Sequence, residues 1–287
     1  FTFINNAIRF DYPIVEAIQS ILPLCDEVVV AVGNGGDGTR ALVEGLDSPK
    51  VRIVDTVWDD SLREGGRVLA AETDKAYAAI DPRADWAVYI QGDEVMHEDG
   101  HKVVRQAMRD HLTNLEVDGL LFNYRHFYGS YDFVGASDRW YAHEVRVVRA
   151  CPTIRSFRDA QGFRIRDNEL LRVVPVEAYV HHYGWVKPPK VMQDKRVAFN
   201  KLWHSDEWVS QHVVGAAEFE YEKHIRSMHR FKGNHPAPMT RRVKAMNWSF
   251  AFDPSNNRWT LKDRGKHLLK KLGINPNYAN YRLWRGD

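Results

Sequence analysis

Apolar residues recur at helical spacing across residues 12–24, where Ile14, Val15, Ile18, Ile21 and Leu22 form one stripe and Pro13 suits a first helical turn. Residues 1–4 in front of it read as extended. Residues 27–32 behind it are a β-branched run that closes in the turn Gly33-Asn34-Gly35-Gly36-Asp37-Gly38-Thr39. Three elements follow: a short helix over 40–46, a strand over 51–54, and a helix over 65–80 carrying Val68, Leu69, Ala71, Ala76, Tyr77 and Ala79. The apolar segment 86–90 then reads as a short strand and runs directly into Gln91-Gly92-Asp93-Glu94. Strands and helices alternating in this way predict an α/β fold with a doubly wound, mostly parallel sheet.

The second half has another rhythm. A helix over about 102–115 precedes strands at 119–127, 141–148 and 177–186, which predict a mixed or antiparallel extension of the sheet. From 187 onward the chain reads as helical and irregular, broken by Pro188, Pro189, Pro236 and Pro238. No internal repeat or low-complexity linker interrupts it, so a division near Asp118 separates two halves, 1–118 and 119–287, within one compact body.

Composition narrows the function. The 287 residues are 44% hydrophobic and 27% charged, which is the balance of a folded, water-soluble domain. A formal net charge of +2, from 40 basic and 38 acidic residues, argues against nucleic acid as a partner, because duplex binding neutralises many phosphates. Cys25 and Cys151 are the two cysteines, too few and too far apart for a disulfide scaffold or zinc knuckle, and a reducing cytoplasm is expected. Apolar runs fall well short of the roughly 20 residues a membrane span needs. The chain opens inside a strand without an initiator methionine, so a few residues are expected to precede it. Nine tryptophans and 12 tyrosines suit core packing as well as stacking on sugars or bases.

In an open parallel sheet, ligands bind beyond the carboxyl ends of the strands. Asp93 and Glu94 follow the strand interior Val88-Tyr89-Ile90 and are therefore expected at that edge. Two carboxylates there can hold a divalent cation that bridges the phosphates of a nucleotide and stabilises a leaving diphosphate. The same pair, ahead of Asp99 and Gly100, would also serve as an acidic cap for the next helix. Asp55, Trp58, Asp59 and Asp60 follow the preceding strand at the same edge, where an acid with a stacking ring would make a base or ribose pocket; Trp58 would serve equally as a lid on the core.

The run Val28-Val29-Val30-Ala31-Val32-Gly33-Asn34-Gly35-Gly36-Asp37-Gly38-Thr39 resembles the strand and Asp-Gly-Thr turn of family 2 glycosyltransferases, and Ile90-Gln91-Gly92-Asp93-Glu94 resembles their DXD segment. Glu16-Ala17-Ile18-Gln19-Ser20-Ile21 between the first two strands, and Gly66 opening the helix before the DXD strand, are similar too. The likeness covers the first half well and the rest loosely. It implies a GT-A fold, a nucleotide-sugar half at 1–118 and an acceptor-side half at 119–287. It also implies donor contacts from Asn5, Gly33, Asp55, Trp58, Asp59, Gly66, Gln91 and Asp93, with Glu94 beside the chemistry. Two departures stand out. Val32 and Gly33 occupy the place where the family carries a base-binding acid, and Gln91 replaces the first acid of the DXD, which leaves Asp93 as principal ligand for Mg²⁺ or Mn²⁺.

Val180-His181-His182-Tyr183-Gly184-Trp185 is extended, so its histidines point to opposite faces. The resemblance implies that one completes the metal shell; His182 is preferred to His181, with a buried structural histidine as the alternative. Lys187, Lys190 and Lys195 can offset diphosphate charge or line a wet helix face. An inverting displacement needs a carboxylate to deprotonate the acceptor hydroxyl. Asp159, in Ser156-Phe157-Arg158-Asp159-Ala160-Gln161-Gly162-Phe163, is the candidate; it would serve equally as a turn aspartate, and Glu144 and Asp167 are lesser choices.

His224, His229 and His235 lack the spacing of a zinc hydrolase, and no nucleophile elbow, Walker lysine loop or dinucleotide glycine fingerprint is present. The basic, leucine-bearing tail over 261–272 reads as a core-packed helix with a solvated face, or as a peripheral contact with an anionic inner membrane face. Together these readings predict a cytoplasmic, metal-dependent glycosyltransferase, moving sugar from a nucleotide-diphosphate donor to a carbohydrate or lipid-linked hydroxyl acceptor, with inversion. A sugar-nucleotide nucleotidyltransferase and a non-catalytic carbohydrate-binding protein are the alternatives. The first of these needs a basic, glycine-rich loop near its start, which Asn5-Asn6-Ala7-Ile8-Arg9 does not supply.

Overall fold

Strand β1 (Thr2–Ile4), helix α1 (Ile14–Ile21), strand β2 (Val28–Gly33), helix α2 (Thr39–Glu44) and strand β3 (Val51–Thr56) open the fold in the computed structural model. The structure describes residues 1–59, 61–62, 64–137, 140–225, 227–258, 265–266 and 279–286. β1, β2 and β3 are parallel, with β2 central and buried along its whole length. That burial explains why its sequence is a continuous apolar run rather than an alternation.

Successive residues of β2 feed opposite faces, as the two-residue strand period requires. Val28, Val30 and Val32 join a core with Ile14, Ala17, Ile18 and Ile21 of α1 and Val104 of α4 (His101–Asp110). Val29 and Ala31 join another with Ala76 and Tyr77 of α3 (Arg67–Ala78). Helices thus cover both faces, which is the doubly wound arrangement. The helix expected over 102–115 is shorter: α4 stops at Asp110 and a turn follows, with His111 capping the helix end.

The parallel strands continue into a mixed sheet. The amino group of Phe1 donates to Val88 O of β4 (Trp86–Val88), and Ile90 N donates to Phe1 O, so β4 lies beside β1. β4 pairs antiparallel with β8 (His143–Arg149), which pairs antiparallel with β6 (Gly119–Tyr128). β6 runs parallel to β12 (Arg172–Trp185), and β12 also receives β5 (Glu94–Met96) antiparallel. Strands from both halves therefore interleave in one sheet. Beyond β6, β7 (Ser130–Gly135) and β13 (Met228–Arg230) extend the edge.

A small antiparallel sheet of β9 (Ile154–Phe157), β10 (Gly162–Ile165) and β11 (Glu169–Leu170) rests on α3, where Asp74 accepts the Ser156 amide at 2.7 Å. Its first turn carries Asp159. After β12 comes α5 (Pro189–Asn200), whose proline start fits the first helical turn. Then follow α6 (Asp206–His212), α7 (Tyr221–His224), α8 (Thr240–Lys244) and the short β14 (Arg282–Leu283). Of the tail expected to be helical over 261–272, only 265–266 lies among the described residues, and Asp60 lies outside them. No helix of the described residues is long and apolar enough to cross a membrane.

Candidate active site

The strand carboxyl ends open onto a cleft of about 640 Å³. Its walls bring together Asn5, Trp58, Gln91, Asp93, Asp159 and His182, which the sequence spreads over 177 positions from first to last. A hollow of about 770 Å³ lies at the other end of the strands, against Phe1 and Trp86, with no histidine among its described lining residues. The first is the candidate ligand site, because loops diverge where parallel strands end.

Asp93 and Glu94 part company at the start of β5. The Asp93 side chain turns into the cleft, 13% exposed, with Oδ2 3.2 Å from Lys195 Nζ and 3.7 Å from His182 Nε2. Burial alone would raise its pKa, but Lys195, His182 and Lys187 outweigh that and hold the carboxyl well below the usual range. Asp93 is ionised at any physiological pH. Glu94, expected beside the chemistry, points away from the cleft into the interior, because β5 alternates and aims it inward. Arg146 Nε and Nη2 each donate to its carboxylate at 2.8 Å, Tyr124 Oη donates at 3.0 Å, and the Gln91 backbone N–H donates at 3.2 Å. Both oxygens are saturated in a buried ion pair, of which Arg146 borders the cleft and Glu94 does not.

Gln91 is a tether rather than an anion. Its Nε2 donates to Ala160 O at 3.1 Å, joining the Asp93 loop to the Asp159 turn. That turn holds Arg158 and Ala160 at positive φ, 55° and 62°, and presents Asp159 half-buried at the rim, with Gln161 Nε2 donating to Oδ1 at 3.2 Å. Burial raises the Asp159 pKa. Gly66, at φ 67°, lies under this turn, and a Cβ there would stand 2.9 Å from Asp159 Cβ and 3.0 Å from Trp203 Cζ2. Gly33 serves close approach in the same way: a Cβ would meet Trp58 Nε1 at 2.6 Å and Asn5 Cγ at 2.9 Å. Trp58 Nε1 and Asn5 Oδ1 are buried there without hydrogen-bond partners, which suits a polar ligand edge.

Asp55, Asp59, Glu144 and Asp167 do not reach the cleft lining. Asp55 lies on the outermost strand of its sheet, is 66% exposed, and pairs with Arg40 at 2.8 Å. Asp59 accepts from Ser61 N and Oγ in an exposed turn. Glu144 is buried in β8 and pushed up to about 8 by burial, so it holds its proton at neutral pH. Asp167 lies on the turn between β10 and β11, away from the lining.

The histidines of β12 face apart. His181 is fully buried against Arg125 and Tyr183, with Nε2 3.2 Å from Arg125 Nη1. His182 faces the cleft, where β12 and β6 change register between His182 and Trp185. Burial lowers its pKa, opposed by Asp93. Gly184 supplies the space between His182 and Asp93: a Cβ there would stand 2.6 Å from Nε2 and 2.7 Å from Oδ2. That hollow, between an imidazole nitrogen and a hard carboxylate oxygen, fits a divalent cation that takes its other ligands from phosphate and water. Among the described residues no group of three or more His, Cys, Asp or Glu side chains gathers that could hold a metal ion.

Lys195 shares Asp93. Its ammonium donates to Asp93 Oδ2 and to Gly184 O at 3.0 Å, and lies 4.7 Å over the Tyr12 ring. Lys187 is wholly buried, donates to Asp11 O at 2.8 Å, and is driven well below its ordinary pKa by burial and by Lys195. Lys190 instead faces solvent and pairs with Asp194. Arg9 and Arg196 add positive charge to the cleft walls. Sequence reasoning did not single out His126, Tyr12 or Arg146. A charged residue inside the apolar run of β8 was the available sign for Arg146, because a buried guanidinium needs a partner.

No protein-family model and no curated protein matches the chain. Among solved structures, 4-diphosphocytidyl-2C-methyl-D-erythritol synthase from Anaerococcus prevotii is similar over 69% of this chain and 95% of that one, with 13% identity and a TM-score of 0.36. That likeness assigns no residue of the cleft.

Proposed function

We propose that the chain is a glycosyltransferase that moves a sugar from a nucleotide-diphosphate donor to a hydroxyl acceptor with inversion. The observation that carries the reading is the placement, in one cleft, of the Asp93–His182 pair and of Asp159 on a separate turn. Mg²⁺ or Mn²⁺ would be held by Asp93 Oδ2 and His182 Nε2, and when bound would neutralise charge developing on the departing diphosphate. Lys195, Arg9 and Arg196 attract the phosphates from the surrounding walls. Asn5 and Trp58 offer an unpartnered acceptor and donor to the nucleoside. Asp159, with its affinity for protons raised by burial, takes the proton of the attacking hydroxyl.

The test is incubation with uridine- and guanosine-diphosphate sugars and Mn²⁺, followed by analysis of the released products. Nucleoside diphosphate release that disappears in Asp93→Ala is the expected result. Pyrophosphate release from a nucleoside triphosphate and a sugar phosphate would instead make the chain a nucleotidyltransferase. Saccharide binding with no response to any nucleotide would make it a carbohydrate-binding protein.

A further inference from the structure

β6 and β12 run parallel with His126 in register with His182, so their rings stand side by side. The two Nδ1 atoms are 3.1 Å apart, and one hydrogen lies between them. His126 Nε2 is 2.9 Å from Tyr141 O. A carbonyl only accepts, so His126 carries its hydrogen on Nε2. The His126 ring is 3% exposed, stacked at 5.1 Å on Trp140 and met edge-on at 4.3 Å by Tyr141, an environment that favours the neutral imidazole. Neutral His126 then has a bare Nδ1, and the hydrogen between the rings belongs to His182.

We infer that His126 is a positioning residue: it fixes His182 as the Nδ1–H tautomer and leaves the Nε2 lone pair aimed at the hollow beside Gly184, across from Asp93 Oδ2. The opposite tautomer would leave His182 Nδ1 bare and require His126, whose Nε2–H is committed to Tyr141 O, to carry a second hydrogen and sit as a buried cation; at 3.7 Å, Asp93 Oδ2 accepts no hydrogen bond from His182 Nε2. Fixing the ligand atom through the other ring nitrogen is the general way in which a protein prepares a histidine for a metal. The use of that lone pair as a cation ligand rests on the proposed transferase reading; the tautomer itself does not.

The experiment has two readouts. In metal-free protein labelled with nitrogen-15 at histidine, long-range proton–nitrogen correlation spectra, assigned with His126→Asn and His182→Asn, report which ring nitrogen carries hydrogen. His182 protonated on Nδ1 and bare on Nε2, with the reverse for His126, is expected. His182 found protonated on Nε2 would overturn the inference. The second readout is Mn²⁺ affinity by electron paramagnetic resonance. His126→Phe keeps the ring stack but removes the acceptor and should weaken Mn²⁺ by about 10–100-fold, whereas His126→Asn, whose Oδ1 can accept from His182, should restore most of it. Equal affinities in the parent protein and the Phe variant, or equal losses in the two variants, would overturn it. If the parent protein binds neither Mn²⁺ nor any nucleoside diphosphate, the transferase reading fails, and the tautomer still decides the role of His126.

Discussion

Asp93 and Glu94 are adjacent in sequence, yet their carboxylates serve separate environments: Asp93 Oδ2 meets Lys195 Nζ at 3.2 Å in the cleft, while Glu94 is chelated by Arg146 in the interior. The alternation of β5 makes the division, and the two acids should respond differently to substitution.

Glu94→Gln is expected to act on stability. It leaves the buried Arg146 guanidinium without its counter-charge, a loss of about 3–5 kcal/mol for a buried pair broken on one side. Chemical denaturation should show a lower midpoint with an unchanged slope. A Gln variant as stable as the parent, and merely inactive, would contradict the assignment.

Asp93→Asn should act on ligands instead. The amide retains the shape but removes the charge that Lys195 and His182 face, so Mn²⁺-dependent donor turnover should fall about 10²–10³-fold while the fold persists by circular dichroism.

For Asp159→Asn, a fall in kcat of about 10²–10⁴ is expected, with donor affinity measured by calorimetry unchanged. Burial raises the Asp159 pKa. A base must be deprotonated to work, so the acid limb of the parent's kcat profile should lie above the ordinary aspartate value and vanish in the variant.

Glu144 gives a pH signature in stability. Its folded pKa is raised to about 8 from an ordinary 4.5, so the unfolded chain ionises first as pH rises. The stability it contributes is full below about 4.5 and is lost as the pH climbs through about 8. Glu144→Gln, which mimics the protonated form, should match the parent's Tm near the low end of that window and exceed it at the high end. Parallel Tm curves for the two proteins would refute this.

Gly33→Ala places a methyl 2.6 Å from Trp58 Nε1. The ring must move, and nucleoside diphosphate affinity should fall about tenfold, or ~1.4 kcal/mol. Unchanged calorimetric affinity would remove Trp58 from the nucleoside site.

Much of the fold was legible because burial writes itself into periodicity. β2 is buried on both faces and reads as an unbroken apolar run, and α1 shows its stripe through Ile14, Ile18 and Ile21. Asp93 and His182 were legible as positions, since each sits where a strand period and a sheet edge fix its direction. Asp55 and Asp59 were misleading, because a strand at a sheet edge carries its following loop toward solvent as readily as toward a cleft. Lys190 and Lys195 look alike in sequence; the packing of α5 exposes one and buries the other. The partnership of His126 with His182 depends on the parallel register of two strands 56 positions apart, which no local pattern encodes.

The Gln91 amide joins the loop of Asp93 to the turn of Asp159 through a single contact with Ala160 O. The two carboxylates are therefore gauged against each other like the jaws of a caliper with one set screw. Shortening that side chain would free the jaws to drift apart without unseating either acid from its own element.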